Sequence, residues 1–571
     1  MSANLRIRLG AGDAARIDAV SNQARRDAWA QRLADRDTTL WSSDARVGAE
    51  IADRLGWLDA PEHFGREAPE LEAFGDGVRA DGFTTAVVMG MGGSSLAPQV
   101  LHEVFGTADG YLDLRILDTT DPAGVAAVVD DLDPLQTLWI IASKSGTTTE
   151  PLAFEADRWA AVEQALRDRG SDQKPGEFFI AITDPGKSVE AIPHHDDLRE
   201  QFLNLATVGG RYSALTYVGL VPASLIGLDL DPLLASASSM LAQCREPEPD
   251  RNPGLRLGLV MGELARGGRD KLTLLPDPAI ASFGTWLEQL LAESTGKHGT
   301  GILPVDREPL LDPQRYGSDR AFARIALAGE RDRSRDELAD ALAGLGHPVI
   351  DIELDDPIDL GGEFVRWEVA TAFAGAVLGI DAFDQPNVEE AKELTRKVLA
   401  EAGHGGGSGR GGSGTSAPDP NVLDATTGAN AVADGLRAVL GAARVPNYIA
   451  IQAFIAPGQA QDTAIEQLRT TLAGTGCATT AGYGPRFLHS TGQLHKGGPP
   501  TGIFLQLTSG HPIDRPIPGW PYTFGQLIDA QARGDREAIA AHDRPVLHVD
   551  LGPDLAGGLA TLNDAVRRVL A

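Results

Sequence analysis

From residue 83 onward, short apolar runs rich in β-branched residues alternate with stretches of helical periodicity. The run TTAVVMG is followed by a glycine-rich break and then by LAPQVLHEVF, which places apolar residues at helical spacing. The runs LRILDT, TLWIIAS and EFFIAIT repeat the strand signal, and a helical stretch follows each of them. Strands that alternate with helices form parallel sheets covered on both faces, so the sequence predicts an α/β fold.

The same alternation returns twice, with strand candidates KLTLLPD, ARIALAG and PVIDIEL, and then YIAIQAFI, GIFLQL and PVLHVDL. A Gly/Ser-rich stretch separates these two sets and is typical of a flexible linker. A chain of 571 residues is also too long for one hydrophobic core. We therefore predict five regions: a helical N-terminal extension (1–75), two α/β domains (76–240 and 241–402), the linker (403–420) and a C-terminal α/β region (421–571).

The charge balance limits the classes of partner. A net charge of −30 argues against nucleic acid and anionic membranes, and it requires any phosphate site to be locally positive. Two cysteines and an N-terminus without the apolar core of a signal peptide predict a protein of the cytoplasm. No run of residues has metal-ligand spacing, so we predict neither a metal nor a cofactor.

Two loops at strand ends have the composition of phosphate sites. GMGGSS, residues 90–95, joins a predicted strand to a helix whose free N–H groups suit an anion. SKSGTTTE, residues 143–150, places five hydroxyl groups and a lysine at the end of another strand. A glycine turn with a serine cap and an ST-rich helix cap are the structural alternatives, but two such loops on neighbouring strands favour phosphate binding.

Three further stretches carry side chains suited to proton transfer. Arg211 in VGGRYS stays protonated and can stabilise an oxyanion. Glu293, where an amphipathic helix gives way to a polar loop, can act as a general base. Gln385 and Lys392 in FDQPNVEEAK lie two turns apart on one helix face. Taken singly, each of them also fits an ordinary surface salt bridge or a charged helix.

In this order, the five stretches resemble those of the glucose-6-phosphate isomerase family, over roughly residues 85–400. GMGGSS and SKSGTTTE are similar to the family's two phosphate loops, and AESTGK resembles the segment that holds its catalytic glutamate. GGRYS and FDQPNVEEAK resemble the two stretches by which the family is recognised, although Asn387 stands where glycine is usual. The resemblance implies two flavodoxin-like sugar-isomerase domains, and it is closest to the bacterial type that is sometimes fused to transaldolase.

The family also carries a histidine between its glutamate and its lysine in chain order. Between Glu293 and Lys392 this chain has only His298 and His347, and neither has the family's sequence context. The matching segment, HSTGQLHKGG, begins instead at His489 and follows the Gly/Ser-rich stretch. We infer that the histidine segment has moved to the C-terminal region, where it reaches the site either in its own chain or from a neighbouring subunit.

The resemblance implies reversible isomerisation of glucose 6-phosphate and fructose 6-phosphate by a homodimer. Glu293 would move the proton, Arg211 would stabilise an enediolate, and Lys392 and His489 would assist ring opening. The residues implied in substrate binding are Gly92, Gly93, Ser94, Ser143, Lys144, Ser145, Thr147, Thr148, Gly210 and Gln385. A non-catalytic sugar-phosphate-binding module and an isomerase of another hexose phosphate, such as mannose 6-phosphate, remain as alternatives.

Overall fold

A computed structural model describes residues 4–404 and 422–570. Within these residues the chain forms three five-stranded sheets, each covered by helices. The predicted α/β class is therefore confirmed. No helix of the described ranges is long and apolar enough to cross a membrane.

The N-terminal region contributes one strand and four helices. Helix formation is favoured locally by capping, because Asp44 accepts hydrogen bonds from the backbone N–H groups of Arg46 and Val47. The elements are β1 (Leu5–Arg8), α1 (Ala11–Arg26), α2 (Trp29–Ala34), α3 (Ala45–Ala52) and α4 (Ala60–Ala80).

The first sheet is entirely parallel. Its elements are β2 (Thr85–Gly90), α5 (Leu96–Phe105), β3 (Asp113–Leu117), α6 (Pro122–Val129), β4 (Thr137–Ala142), α7 (Thr149–Arg169), β5 (Phe179–Thr183), α8 (Lys187–Glu190), β6 (Glu200–Leu203), α9 (Tyr217–Leu225) and α10 (Leu230–Gln243). The strand order is β3-β2-β4-β5-β6, which is the flavodoxin-like arrangement. All residues of β2 and β4 are buried, as their unbroken apolar runs predicted.

The second sheet includes a strand from the start of the chain. Its other elements are α11 (Pro253–Arg266), β7 (Lys271–Pro276), α12 (Ala281–Thr295), β8 (Leu303–Val305), β9 (Arg320–Leu327), α13 (Arg333–Gly344), β10 (Val349–Leu354), α14 (Leu360–Leu378) and α15 (Pro386–His404). The order is β1-β10-β9-β7-β8, and β1 pairs antiparallel with β10. We predicted a purely helical N-terminal extension, so β1 is an addition to that prediction.

The third sheet is formed by the C-terminal region. Its elements are β11 (Val422–Asp424), α16 (Ala429–Leu440), β12 (Tyr448–Phe454), α17 (Gln459–Leu472), β13 (Ala478–Tyr483), α18 (Gly492–Gly497), β14 (Gly502–Thr508), α19 (Phe524–Ala541), β15 (Val546–Asp550) and α20 (Leu555–Leu570). The parallel order β13-β12-β14-β15 has the same form as β3-β2-β4-β5 of the first sheet.

The predicted linker, 403–420, lies mostly outside the described residues. Helix α15 continues to His404, so the first two positions of the predicted linker are helical. The other domain boundaries stay predictions, since the three sheets agree with them only in outline.

The C-terminal region packs against the rest of the chain through both apolar and polar contacts. Phe524 and Leu527 of α19 belong to the hydrophobic core that the first two sheets share. Arg469 of α17 is buried and donates to the backbone oxygens of Asp306 (2.9 Å) and Arg307 (2.7 Å) beyond β8. These contacts hold the third sheet in one position against the second.

We predict that Arg469→Met lowers the free energy of unfolding by about 2–4 kcal/mol, because buried carbonyls lose a charged donor. The measurement is urea unfolding followed by tryptophan fluorescence. Arg437→Met on the exposed surface of α16 is the matched control, with an expected change within about 0.5 kcal/mol. Equal losses in the two variants would contradict this account of Arg469.

Candidate active site

A cavity of about 710 Å³ lies where the three sheets meet. Residues of the first sheet's loops, of α12, of the start of α15 and of the C-terminal region all contribute to its wall. The structure therefore brings together most of the predicted site residues: Gly93, Ser94, Lys144, Ser145, Thr147, Thr148, Gly210, Arg211, Glu293, Gln385, Lys392 and His489. Gly92 and Ser143, which we expected to contact substrate, do not line the cavity.

The hydroxyl-rich loop after β4 forms one end of the cavity. The Ser145 and Thr147 hydroxyl oxygens lie 2.9 Å apart on its surface. Ser143 is buried beneath them and donates to the Thr148 hydroxyl at 3.0 Å, so it orients that side chain. Gly146 has a φ of +66°, and a Cβ added there would lie 1.9 Å from the Ser188 carbonyl oxygen, which restricts this turn to glycine.

The two glycines after β2 have different neighbours. A Cβ added to Gly93 would lie 2.2 Å from the Gly210 carbonyl oxygen, so the first loop and the GGRYS loop are in direct backbone contact. A Cβ added to Gly92 would lie 2.6 Å from the His489 carbonyl oxygen, and Gly92 has a φ of +53°. Gly92 thus makes room for the histidine segment, which explains why it does not face the cavity.

Arg211 is the most highly connected side chain of the site. Its Nη1 donates to Glu293 Oε1 (3.1 Å) and to Gln385 Oε1 (3.0 Å). Its other nitrogens donate to the Ser294 hydroxyl (2.7 Å) and to the Asp384 carbonyl oxygen (3.0 Å). Because Arg211 is buried, these bonds fix a permanent positive charge against the Glu293 carboxylate.

Lys297 holds the same segment before α15 that Arg211 contacts. It is fully buried, and its Nζ donates to the Asp384 carbonyl oxygen at 2.6 Å. Burial and the neighbouring Arg211 lower the pKa of Lys297 to about 8, although Asp384 opposes this shift. Lys297 therefore holds the segment that presents Gln385.

Gln289, one turn before Glu293 on α12, links the glutamate to the histidine segment. Its Nε2 donates to Glu293 Oε2 (3.0 Å) and to the His489 carbonyl oxygen (2.7 Å). Both carboxylate oxygens of Glu293 therefore have a donor, one from Gln289 and one from Arg211. This fixes the direction in which the carboxylate faces.

Only the beginning of FLHSTGQLHKGG reaches the cavity. His489 ends a short 3-10 turn, and its Nε2 lies 3.3 Å from Glu150 Oε1. The following residues form α18, in which His495 and Lys496 are buried and Lys496 pairs with Asp535 at 2.6 Å. His489 joins the predicted site within its own chain, and the other two basic residues belong to the core of the C-terminal region.

Asn387 helps to hold the histidine segment of the C-terminal region against the rest of the site. Its backbone N–H donates to Gln493 Oε1 and its side-chain oxygen accepts from Gln493 Nε2, both at 2.8 Å. Gln493 Nε2 also donates to the Gly296 carbonyl oxygen at 2.9 Å. The asparagine at the position where the resembled family has glycine thus contacts the C-terminal region directly.

Sequence reasoning missed Glu150, although it ends the SKSGTTTE stretch. Burial raises the pKa of the Glu150 carboxyl, but the interaction with His489, a backbone hydrogen bond and the Lys392 charge together outweigh burial and leave the pKa below its usual value. A buried, ionised carboxylate beside a histidine holds the ring orientation and favours one tautomer. Only the fold brings the two residues together, because they are 339 positions apart.

Arg54, from the N-terminal region, was also missed. It lines the cavity beside the loop after β4, where Lys144 is paired with Asp184 and donates to the Ala206 carbonyl oxygen at 2.9 Å. Among the described residues no carboxylate forms an ion pair with Arg54, whose Nη1 donates only to the Asp53 carbonyl oxygen. Its guanidinium therefore adds positive charge to the cavity wall, where it also acts on the Asp184 carboxylate.

Lys392 lies on the cavity wall in the second turn of α15. Its Nζ donates to Glu389 Oε1 at 2.8 Å, and its side chain is 43% exposed. Together the cavity holds a hydroxyl loop for an anion, a fixed carboxylate–arginine pair, and a histidine and a lysine. No cluster of three or more metal-ligating side chains occurs in the ranges that the structure describes.

A family model and several known proteins are similar to this chain. Residues 73–302 match the model of the family described as phosphoglucose isomerase. A glucose-6-phosphate isomerase of Rubrobacter xylanophilus is 29% identical over 410 residues, covering 63% of this chain and 92% of that protein. A glucose-6-phosphate isomerase of a Synechococcus strain is 30% identical over 358 residues, covering 56% and 66%.

This chain belongs to the phosphoglucose isomerase family. A crystal structure of a hypothetical protein from Thermus thermophilus has the same fold, with a TM-score of 0.56 and 25% identity, and the match covers 69% of this chain and all of the other. The match to the family model ends before Lys392 and His489, so these two residues are assigned to the site on geometry and resemblance alone.

We predict that Glu293→Gln and His489→Ala do not complement each other. Both residues line the cavity of a single chain, so a mixed oligomer contains no site with both groups intact. The measurement is the activity of the two inactive variants after mixing under conditions of subunit exchange, with each variant alone as control. Recovered activity would show instead that the histidine comes from a neighbouring subunit.

Proposed function

We propose that this chain catalyses the reversible isomerisation of glucose 6-phosphate and fructose 6-phosphate. The observation that carries the proposal is the Glu293 carboxylate, held 3.1 Å from the Arg211 guanidinium in a cavity whose wall also includes the hydroxyl-rich loop after β4. Aldose–ketose isomerisation needs one positioned base and one fixed positive charge, and the relatives named above are glucose-6-phosphate isomerases.

The proposed reaction begins with ring opening. His489 accepts the proton of the anomeric hydroxyl, and Lys392 donates a proton to the ring oxygen as the carbon–oxygen bond breaks. Because His489 Nε2 faces Glu150, Nδ1 is the nitrogen left to exchange this proton. Gln385 orients the open chain toward Glu293 through its bond to Arg211.

Proton transfer between the two carbons follows. The Glu293 carboxylate removes the proton from C2 of the aldose, and the electrons move to O1 and form the enediolate. Arg211 stabilises that negative charge without giving up its own proton. A proton passes from O2 to O1, so the negative charge of the enediolate moves to O2. Glu293 then returns its proton to C1 while the O2 electrons form the C2=O2 carbonyl, which gives the ketose and restores the Glu293 carboxylate.

The phosphate group is assigned to the loop after β4, with Ser94 and the Gly93–Gly210 contact beside it. Ser145, Thr147 and Thr148 provide hydroxyl donors, and Ser143 acts by orienting Thr148. In a chain of net charge −30 a phosphate dianion also needs a local positive charge, and Arg54 provides it because Lys144 is neutralised by Asp184.

A homodimer and a location in the cytoplasm are also part of the proposal. They rest on the family resemblance and on composition. Light scattering of the purified protein tests the dimer, and an assay with mannose 6-phosphate tests the choice of hexose.

Glu293→Gln is expected to lower kcat by about 10²–10⁴-fold or more, because the amide removes the base and keeps the shape. The assay is conversion of fructose 6-phosphate to glucose 6-phosphate. Binding of sorbitol 6-phosphate, a linear substrate mimic, should survive, and Glu337→Gln on the exposed face of α13 should retain full activity. Near-normal turnover of Glu293→Gln would assign the base to another residue.

Arg54→Met is expected to raise KM for fructose 6-phosphate about 10-fold, with a smaller effect on kcat, because it removes a charge-assisted contact to a non-reacting group. Ser145→Ala should act in the same direction and more weakly. Inorganic phosphate, tested as a competitive inhibitor, should lose affinity in parallel. Arg46→Met, whose side chain is 76% exposed on α3, is the control. Unchanged phosphate inhibition in Arg54→Met would remove Arg54 from the phosphate site.

A further inference from the structure

A continuous row of buried polar side chains leads from Thr120, which follows β3, through Gln531 of α19 and Glu150 of α7 to His489. The Thr120 hydroxyl donates to Gln531 Oε1 at 2.7 Å. Gln531 Nε2 donates to Glu150 Oε1, also at 2.7 Å, and that same oxygen lies 3.3 Å from His489 Nε2. Thr120 and Gln531 are buried and Gln531 borders the cavity, so this row connects the site to α19.

The donor on Thr120 determines which way the Gln531 amide faces. A hydroxyl that donates to the amide oxygen directs the NH₂ group toward Glu150. An N–H donated to a buried carboxylate favours its charged form, and it also fixes the carboxylate in one orientation. The Glu150 side chain cannot turn toward water instead, because only 5% of its surface is exposed.

We propose that Gln531 is a positioning residue for ring opening, which keeps the Glu150 carboxylate ionised and directed at His489. This inference rests on the proposed function, since it assigns His489 to that step. The third sheet then contributes two groups to the reaction, His489 itself and the residue that orients the partner of His489.

Other charged or titratable groups also face Glu150. They are His489 from the 3-10 turn, Lys392 from α15 and Tyr522 from the segment before α19. Burial and the Glu150 charge raise the pKa of Tyr522 to about 12, so Tyr522 stays protonated and does not titrate with Glu150 at neutral pH. Lys392 also forms an ion pair with Glu389.

The test compares Gln531→Met and Gln531→Glu with the parent chain in the fructose 6-phosphate assay across the pH range. Gln531→Met removes a hydrogen-bond donor from Glu150, so the Glu150 carboxyl takes up a proton at a higher pH than in the parent chain. The acid limb of the profile of kcat against pH therefore moves to higher pH, by up to about one unit. Gln531→Glu places a second carboxyl group against Glu150, and the acid limb of that variant's profile moves further to higher pH. At neutral pH we expect kcat about 10–100-fold lower, because Glu150 no longer holds His489 in one orientation, and affinity for sorbitol 6-phosphate nearly unchanged.

Gln506→Met is the matched control for the loss of a buried amide. Gln506 is fully buried beside α19, and its amide donates to the Ala532 carbonyl oxygen (3.0 Å) and accepts from Arg536 (2.8 Å) without bordering the cavity. A variant that is merely less stable lowers activity at every pH and leaves the limb in place. We expect this result for Gln506→Met and not for Gln531→Met.

An infrared titration separates this inference from the proposed function. The carboxyl band that disappears in Glu150→Gln belongs to Glu150. The pH midpoint of its titration should be higher in Gln531→Met than in the parent chain, whether or not the chain converts sugar phosphates. If the parent chain has no isomerase activity but the band still shifts in Gln531→Met, the proposed function and the step assigned to His489 are overturned. The effect of Gln531 on the Glu150 carboxyl would nevertheless stand. An unshifted band together with an unshifted acid limb would overturn the role of Gln531.

Discussion

The buried guanidinium of Arg211 joins the parts of the chain that form the site. It lies in a short turn after β6 that contacts the loop after β2. It donates to the end of α12 and to the segment before α15, which both belong to the region of the second sheet. A guanidinium cannot lose its charge when buried, so each of its donors must find an oxygen at the right distance. Lys297 reinforces the same segment from the other side. Arg211 is the one side chain among these that bonds to both Glu293 and Gln385, so their relative placement depends mainly on it.

The second constraint is the docking of the C-terminal region. Gly92 leaves space for the His489 carbonyl, and Gln289 donates to that carbonyl while it holds Glu293. Further contacts pair Gln493 with Asn387 and insert Arg469 among backbone oxygens. Two groups of the proposed chemistry, Glu293 and His489, are therefore positioned by the same interface, although they belong to different sheets.

The strands with long apolar runs were predictable, and the short or polar ones were not. β2, β4 and β12 are buried along their whole length, which produces a largely apolar run in the sequence, interrupted in β12 only by Gln452. β6 and β11 have few buried residues and lie at sheet edges, and β8 has only three residues, so none of them leaves a clear pattern. β1 pairs with a strand more than 340 positions away, and no local signal indicates such a partner.

By itself, the sequence determined the α/β class, which follows from short-range periodicity, and two loops with the composition of phosphate sites, which follow from local motifs. Arg211, Glu293, Lys392 and His489 were indicated by the resemblance of their short motifs to those of the family. Only the tertiary structure decided that His489 lies in the cavity of its own chain. It also decided that Gly92 and Ser143 support their neighbours, and that Glu150, Arg54 and Gln531 border the site. The reason is physical: each of these roles is a contact between residues distant in sequence or a matter of side-chain direction. Such contacts depend on how the three sheets pack and leave no period or motif along the chain.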